Sequence, residues 1–228
     1  MATTNVTQRV LGRFGFLLIA LVLFLATTPL AEHTSLAEGR FRVLFTVVLL
    51  IGVYTMSGRR SLIVAAVLAL PAIVGNWIEV VAEVEGTAPF VYALSALFLG
   101  YVAAVVLAAV LREQQVTTDT VLGGICVYFL IGIVWILLYA LVIEFDPGAI
   151  LINGKPVSYE IAKGSSTLIY FSFVTLTTLG YGDVAPHSDV ARMLAAGEAV
   201  VGQLFIAVMI ARLVGMHISI TSRANDEH

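Results

Sequence analysis

Long apolar runs separated by short polar breaks dominate this chain. They extend from about Phe14 to Leu30, Phe41 to Met56, Ser61 to Ile78, Pro89 to Leu111, Thr120 to Ile143 and Val190 to His217. Each approaches the ~20 residues that a helix needs to cross the hydrocarbon core, with the second and third at the short end. The pattern predicts six transmembrane helices, with Pro71 as a kink site in the third. Arg9 and Arg13 ahead of the first run also fit the positive start of a secretory signal peptide, with Ala26 or Ala31 near a cleavage site. An uncleaved first span is the preferred reading.

A seventh apolar stretch, from about Thr167 to Thr177, lies in the long polar segment between the fifth and sixth runs. It is too short to span. It follows Gly164-Ser165-Ser166, a suitable helix N-cap, and is predicted to re-enter the membrane as a short helix over 165–177. Asn153-Gly154, between Ile150-Leu151-Ile152 and Lys155-Pro156-Val157, predicts a tight hairpin turn. Pro186 ends a strand leaving the segment, and Ser188 or Asp189 can cap the last helix.

Composition agrees with the spans. Of the 228 residues 60% are hydrophobic and 12% charged, where a soluble domain is nearer ~25% charged. Mean hydropathy is +1.00, so most of the chain must lie in lipid. The formal net charge of −3 adds little, and no basic stretch points to nucleic acid. The single cysteine, Cys126, sits in an apolar run and reads as a small core residue. No nucleophile elbow, phosphate loop, zinc spacing or dinucleotide fingerprint is present, so no enzyme is expected, nor any cofactor. His33, His187, His217 and His228 are too scattered for a metal site.

Basic residues set the expected orientation. Arg9 and Arg13, Arg59 and Arg60, Arg112 and Arg223 fall on one side of the predicted spans, which the positive-inside rule makes cytoplasmic. Glu32, Glu38, Glu79, Glu83, Glu85, Glu144 and Asp146 fall on the other, with Arg40, Arg42, Lys155 and Lys163 as exceptions. A multi-pass protein of the plasma membrane with both termini inside is expected, with the polar segment after the fifth span outside.

That segment carries the chemistry. After Thr175, Thr177 and Thr178 come Leu179, Gly180, Tyr181, Gly182 and Asp183. Glycine adopts positive φ freely, so Gly180 and Gly182 allow successive carbonyls to point the same way. The Thr178 hydroxyl can add one more oxygen, and Tyr181 would brace the loop from behind. Thr178–Asp183 resembles the selectivity filter of the potassium-channel superfamily, Thr-x-Gly-Tyr-Gly-Asp. Residues 120–216 resemble its pore unit: outer helix 120–143, turret 144–164, pore helix 165–177, filter 178–182 and inner helix 188–217.

The resemblance implies an all-α integral membrane fold and a homotetramer with one central pore. It implies K+ as the permeant ion, bound at Thr178, Leu179, Gly180 and Tyr181, with Gly182 completing the filter. The short helices would aim their negative ends at the inner cavity, favouring a cation there. Thr175, Thr177 and Asp183 match the family pattern around the filter. Leu179 departs from the commoner Val or Ile, and Tyr170-Phe171 replaces two tryptophans. Tyr170 can still hydrogen-bond Asp183. Gly202 matches the position where many inner helices bend; close packing of a small residue explains it equally well.

Six spans with the pore last also resemble the voltage-gated architecture, with residues 1–112 as a four-helix peripheral bundle and 113–228 as the pore domain. A sensor needs several basic residues in its fourth span, since each charge is worth only ~2.3 kcal/mol per 100 mV. Pro89–Leu111 has none, and Arg112 sits at its end. Little intrinsic voltage gating is expected. The link to the fifth span is short, leaving the bundle able to pack beside its own pore unit. Only a short tail follows His217, so no fused ligand-binding domain is expected, and a separate regulatory partner is open.

Ionisable residues inside spans are functional candidates. Glu198, one turn before Gly202, is expected near the short helix and within reach of Thr175 or Ser172. It would buttress the filter and, on titration, make conduction sensitive to pH; the other reading is a buried acid that never titrates. Gln203, Ile206 and Ile210 are expected to line the cavity. Arg212 either snorkels to the interface or forms a basic ring at the inner mouth. The reading from sequence is passive, selective K+ conduction. A weakly selective cation channel, a secondary transporter or a non-conducting membrane protein are the alternatives, and paired broken helices, the transporter signature, are not found.

Overall fold

The computed structural model describes residues 13–31, 37–55, 58–82, 86–113, 115–156 and 166–226. Six helices follow the six apolar runs: α1 (Arg13–Ala31), α2 (Ala37–Tyr54), α3 (Arg59–Ala82), α4 (Ala88–Arg112), α5 (Thr118–Phe145) and, last in the chain, α7 (Asp189–Asp226). Between α5 and α7 stand strands β1 (Ile150–Ile152) and β2 (Lys155–Pro156), helix α6 (Ser166–Leu176) and strand β3 (Val184–Pro186). The fold is thus mostly helical, and the all-α expectation is corrected by one small sheet.

Four helical stretches among the described residues are long and apolar enough to cross a membrane: Arg59–Trp77, Ala88–Arg112, Thr118–Phe145 and Asp189–Met216. The apolar parts of α1 and α2, Phe14–Thr27 and Arg42–Tyr54, are shorter. Helix α3 runs unbroken through Pro71, and α7 continues nine residues beyond the predicted end at His217. The Gly164-Ser165 cap and the acidic pair Glu83 and Glu85 lie outside the described residues.

Helices α1 to α4 pack each on the next, and α2 also meets α4. Helices α4 and α1 then lie against α5 of the same chain, α4 most extensively. The link from Arg112 to Thr118 is short. Its end is defined by Thr117, whose hydroxyl accepts the Thr120 N–H at 3.2 Å, capping α5. Asp119 accepts the backbone N–H of Phe14 at 3.3 Å, supplying one of the partners that the start of α1 lacks. Close packing at this junction uses Gly123, where a Cβ would stand 2.6 Å from Val110 and 2.9 Å from Phe14. One core runs from Leu17, Leu21 and Phe24 through Phe98, Leu99 and Val102 to Leu130 and Ile133.

Arg42, counted among the basic exceptions on the outer side, lies near the start of α2 and is buried at 7% exposure. Its guanidinium donates to the carbonyl of Asn76 at 2.5 Å, and Trp77 Nε1 donates to Thr46 at 3.2 Å. A long side chain with a hydrogen-bonding head can enter a bundle that supplies an acceptor, which a count of charges per break does not capture.

The sheet is antiparallel with order β2-β1-β3. Asn153 and Gly154 both have positive φ, 49° and 79°, the conformation of the two-residue hairpin turn that this dipeptide favours. Ile150, Leu151 and Ile152 pair with Pro186, Ala185 and Val184. The predicted hairpin and the predicted exit strand are therefore one sheet, anchored where His187 N–H donates to Ala149 at 2.7 Å.

Candidate functional site

Helix α6 ends blind between α5 and α7. Its buried face is Leu168, Phe171, Ser172 and Leu176, a spacing of three and four that keeps them on one side. Phe171 packs on Tyr139 with ring centroids 4.8 Å apart, and Phe173 on Phe129 at 5.8 Å. Gly132 permits this approach, because a Cβ there would stand 2.8 Å from the Phe173 ring. The Tyr128 hydroxyl lies 3.5 Å from the carbonyl of Leu176, at the end of α6.

The chain then turns out of the helix. Thr177 Oγ1 donates back to Phe173 at 2.7 Å. Thr178 N–H donates to Thr175, and the N–H groups of Leu179 and Gly180 both reach the Val174 carbonyl, at 2.9 and 3.3 Å. Alternate residues have positive φ: Thr178 at 59°, Gly180 at 58° and Gly182 at 83°. The two glycines take this region without penalty. Thr178 is β-branched, and its left-handed backbone is strained by about 1–3 kcal/mol. Residues 177–183 are all exposed in the single chain, Leu179 at 56% and Tyr181 at 67%.

Beside this loop Tyr170 meets Asp183, as expected, and also Tyr181. The Tyr170 hydroxyl donates to Asp183 Oδ1 at 3.0 Å. The rings of Tyr170 and Tyr181 stack 6.3 Å apart and 2° from parallel, within the range of favourable offset stacking. The far end of the loop is held by the sheet, since Asn153 N–H donates to the Asp183 carbonyl at 2.8 Å.

Glu198, on α7, is fully buried. One carboxyl oxygen lies 2.5 Å from Ser172 Oγ and the other accepts the Tyr139 hydroxyl at 2.6 Å. Of the two partners expected for it, Ser172 is there and Thr175 is not: Thr175 is half-buried nearer the end of α6. Tyr139 was missed, because nothing in the sequence says which turn of α5 faces which turn of α7. Trp135, one turn away, makes a second link by donating to the Leu194 carbonyl at 3.0 Å.

Further along α7, Gly202 is buried against the end of α6, where a Cβ would collide with the Leu176 carbonyl and side chain. Gln203 Nε2 donates to Thr178 Oγ1 at 3.2 Å. Ile206 and Ile210 are exposed on the same helix, at 38% and 57%. Arg212 donates to the carbonyls of Leu111 and Glu113, at 3.1 and 2.5 Å, joining α7 to the end of α4. Among the described residues no group of His, Cys, Asp or Glu is arranged to hold a metal ion.

A family model described as an ion channel matches residues 149–218, the span from β1 through α6 and the loop into α7. Over 68 residues the chain is 35% identical to a protein described as potassium voltage-gated channel subfamily KQT member 4, from Homo sapiens, and equally to its counterparts from Rattus norvegicus and Mus musculus. That match covers 30% of this chain and 10% of each relative. No solved structure matches significantly. The similarity is thus to an ion-channel family model and to potassium channels, and it is confined to the segment from β1 into α7. With four helices able to cross a membrane, the chain reads as a multi-pass membrane protein.

Proposed function

We propose that this chain is the subunit of a homotetrameric channel that passes K+ selectively and passively across the plasma membrane. The observation that carries the reading is the loop Thr178–Asp183. It leaves a short blind helix with positive φ at every second residue and is braced from behind by Tyr170. Such a backbone can present consecutive carbonyls to an ion and replace its water shell. Thr178, Leu179, Gly180 and Tyr181 would supply the K+ ligands and Gly182 would complete the filter, with Thr175 and Thr177 at its foot. The exposed loop and the exposed face of α7 that carries Gln203, Ile206 and Ile210 are the surfaces that three further copies would cover or that would line a cavity.

The reading includes six spans, with α1 and α2 also crossing, and both termini on the cytoplasmic side. Residues 1–112 form the peripheral bundle and 113–228 the pore domain. With no basic residue in α4 before Arg112, the bundle would carry little gating charge.

Reconstitution of the full chain in liposomes tests this. Under a K+ gradient, flux is expected at rates beyond a carrier's turnover, with reversal potentials following K+ in mixed K+ and Na+. A reversal potential that follows Na+ would overturn selectivity. Slow, saturating exchange would indicate a transporter.

A further inference from the structure

The contacts of Glu198 contain a count that does not close for a carboxylate. Three oxygen–oxygen contacts link α5, α6 and α7: Tyr139 hydroxyl to Glu198 Oε2 at 2.6 Å, Glu198 Oε1 to Ser172 Oγ at 2.5 Å, and Ser172 Oγ to the Gly132 carbonyl at 2.9 Å. Each short contact needs one hydrogen between its oxygens. The Gly132 carbonyl has none to give, and Ser172 and Tyr139 have one each. An ionised Glu198 leaves two hydrogens for three contacts, and one pair of oxygens would face each other unbridged. A protonated Glu198 supplies the third. Tyr139 then donates to Oε2, the acid O–H at Oε1 donates to Ser172, and Ser172 donates to Gly132.

The surroundings agree by a separate route. Ser172, Glu198 and Tyr139 are fully buried. The elements packed most extensively against α7 are α5, α6 and β3, and α4 meets it at Arg212. Helix α5 faces the carboxyl with Tyr139 and Tyr128, and contains no basic residue; α6 and β3 have no charged residue at all. On α7 itself Arg192 and Arg212 are about 9 and 21 Å away along the helix axis. Arg192 pairs with Asp189 at 3.8 Å, and Arg212 binds the end of α4. A buried carboxylate without a cation is strongly disfavoured.

We infer that Glu198 is held as a neutral carboxylic acid, and that it is the positioning residue that fastens α6 to α5 and α7 through a three-bond chain. The inference gives the candidate pore unit a filter support that carries no charge. It selects the non-titrating reading of Glu198 and rests on the pore reading only for what the support is for.

Infrared spectroscopy of the full chain in vesicles at neutral pH tests it, with Glu198→Gln and Ser172→Ala as variants. Glutamine keeps one acceptor and one donor in place, so Glu198→Gln is expected to fold. The carbonyl stretch of a protonated acid is expected in the wild type and lost in Glu198→Gln. In Ser172→Ala, where the acid O–H loses its acceptor, the band is expected to move to higher frequency. Absence of an acid band in the wild type overturns the inference. So does a band unchanged in Ser172→Ala, the outcome that decides if Glu198→Gln does not assemble. K+ flux from the same vesicles separates the two ideas: an acid band without flux refutes the pore reading alone, and flux without the band refutes the neutral acid alone.

Discussion

Gly202 lies against Leu176, whose carbonyl and Cδ1 fill the place that a side chain at 202 would take. Helix α7 and the end of α6 are thus packed closely at Gly202, next to the start of the loop at 178–182. This contact explains the glycine by close approach without any bend. Gly202→Ala is expected to force the two helices apart at a cost of about 1–3 kcal/mol. Thermal unfolding in detergent would show a lowered midpoint. An unchanged midpoint with altered opening would favour the hinge instead.

The turn at Asn153-Gly154 and the exit of the loop are also one structure, through Asn153 and Asp183. Gly154→Val places a β-branched residue at φ 79°, costing about 1–2 kcal/mol. The hairpin should loosen and release Asp183. Amide exchange at Asn153 is expected to rise several-fold, with α4 and α5 unaffected. Equal exchange in variant and wild type would show that the turn does not hold the loop.

Tyr170 makes two separable contacts. Tyr170→Phe removes the hydrogen bond to Asp183 and leaves the ring stack on Tyr181. Assembly and K+ preference are expected to remain, with decay of current during sustained opening altered a few-fold. If decay is unchanged, the hydrogen bond does not stiffen the loop.

Arg212 ties α7 to the α4–α5 link through two carbonyls. Arg212→Ala should cost about 1 kcal/mol, less than the ~1.5–3 kcal/mol of a buried charged donor because the bonds are exposed. Exchange at residues 111–117 should rise about five-fold. Arg212→Lys should recover part of this, because a point charge can reach one carbonyl but not span both. Full recovery by lysine would show that charge, and not the planar fork, matters.

Much of this protein is legible in one dimension because its strongest constraints are local. Backbone polar groups in lipid must be satisfied within the segment, so apolar runs announce helices, and all six were found within a few residues of their expected starts. Asn153-Gly154 and Gly180-Tyr181-Gly182 are equally local, since glycine and asparagine mark the places where φ turns positive. The Tyr170–Asp183 pair was reachable through the resemblance of this stretch to the potassium-channel pattern. What the tertiary structure decided are relationships between distant turns of different helices. Tyr139 joining Glu198, Gly202 meeting Leu176, Arg42 entering the bundle and Arg212 capping α4 depend on how helices rotate and slide against one another. Nearly uniformly apolar helices carry almost no pattern to set that rotation. Shape, hydrogen-bond pairing and the few glycines that admit close approach set it instead, and these act only once the chain is folded.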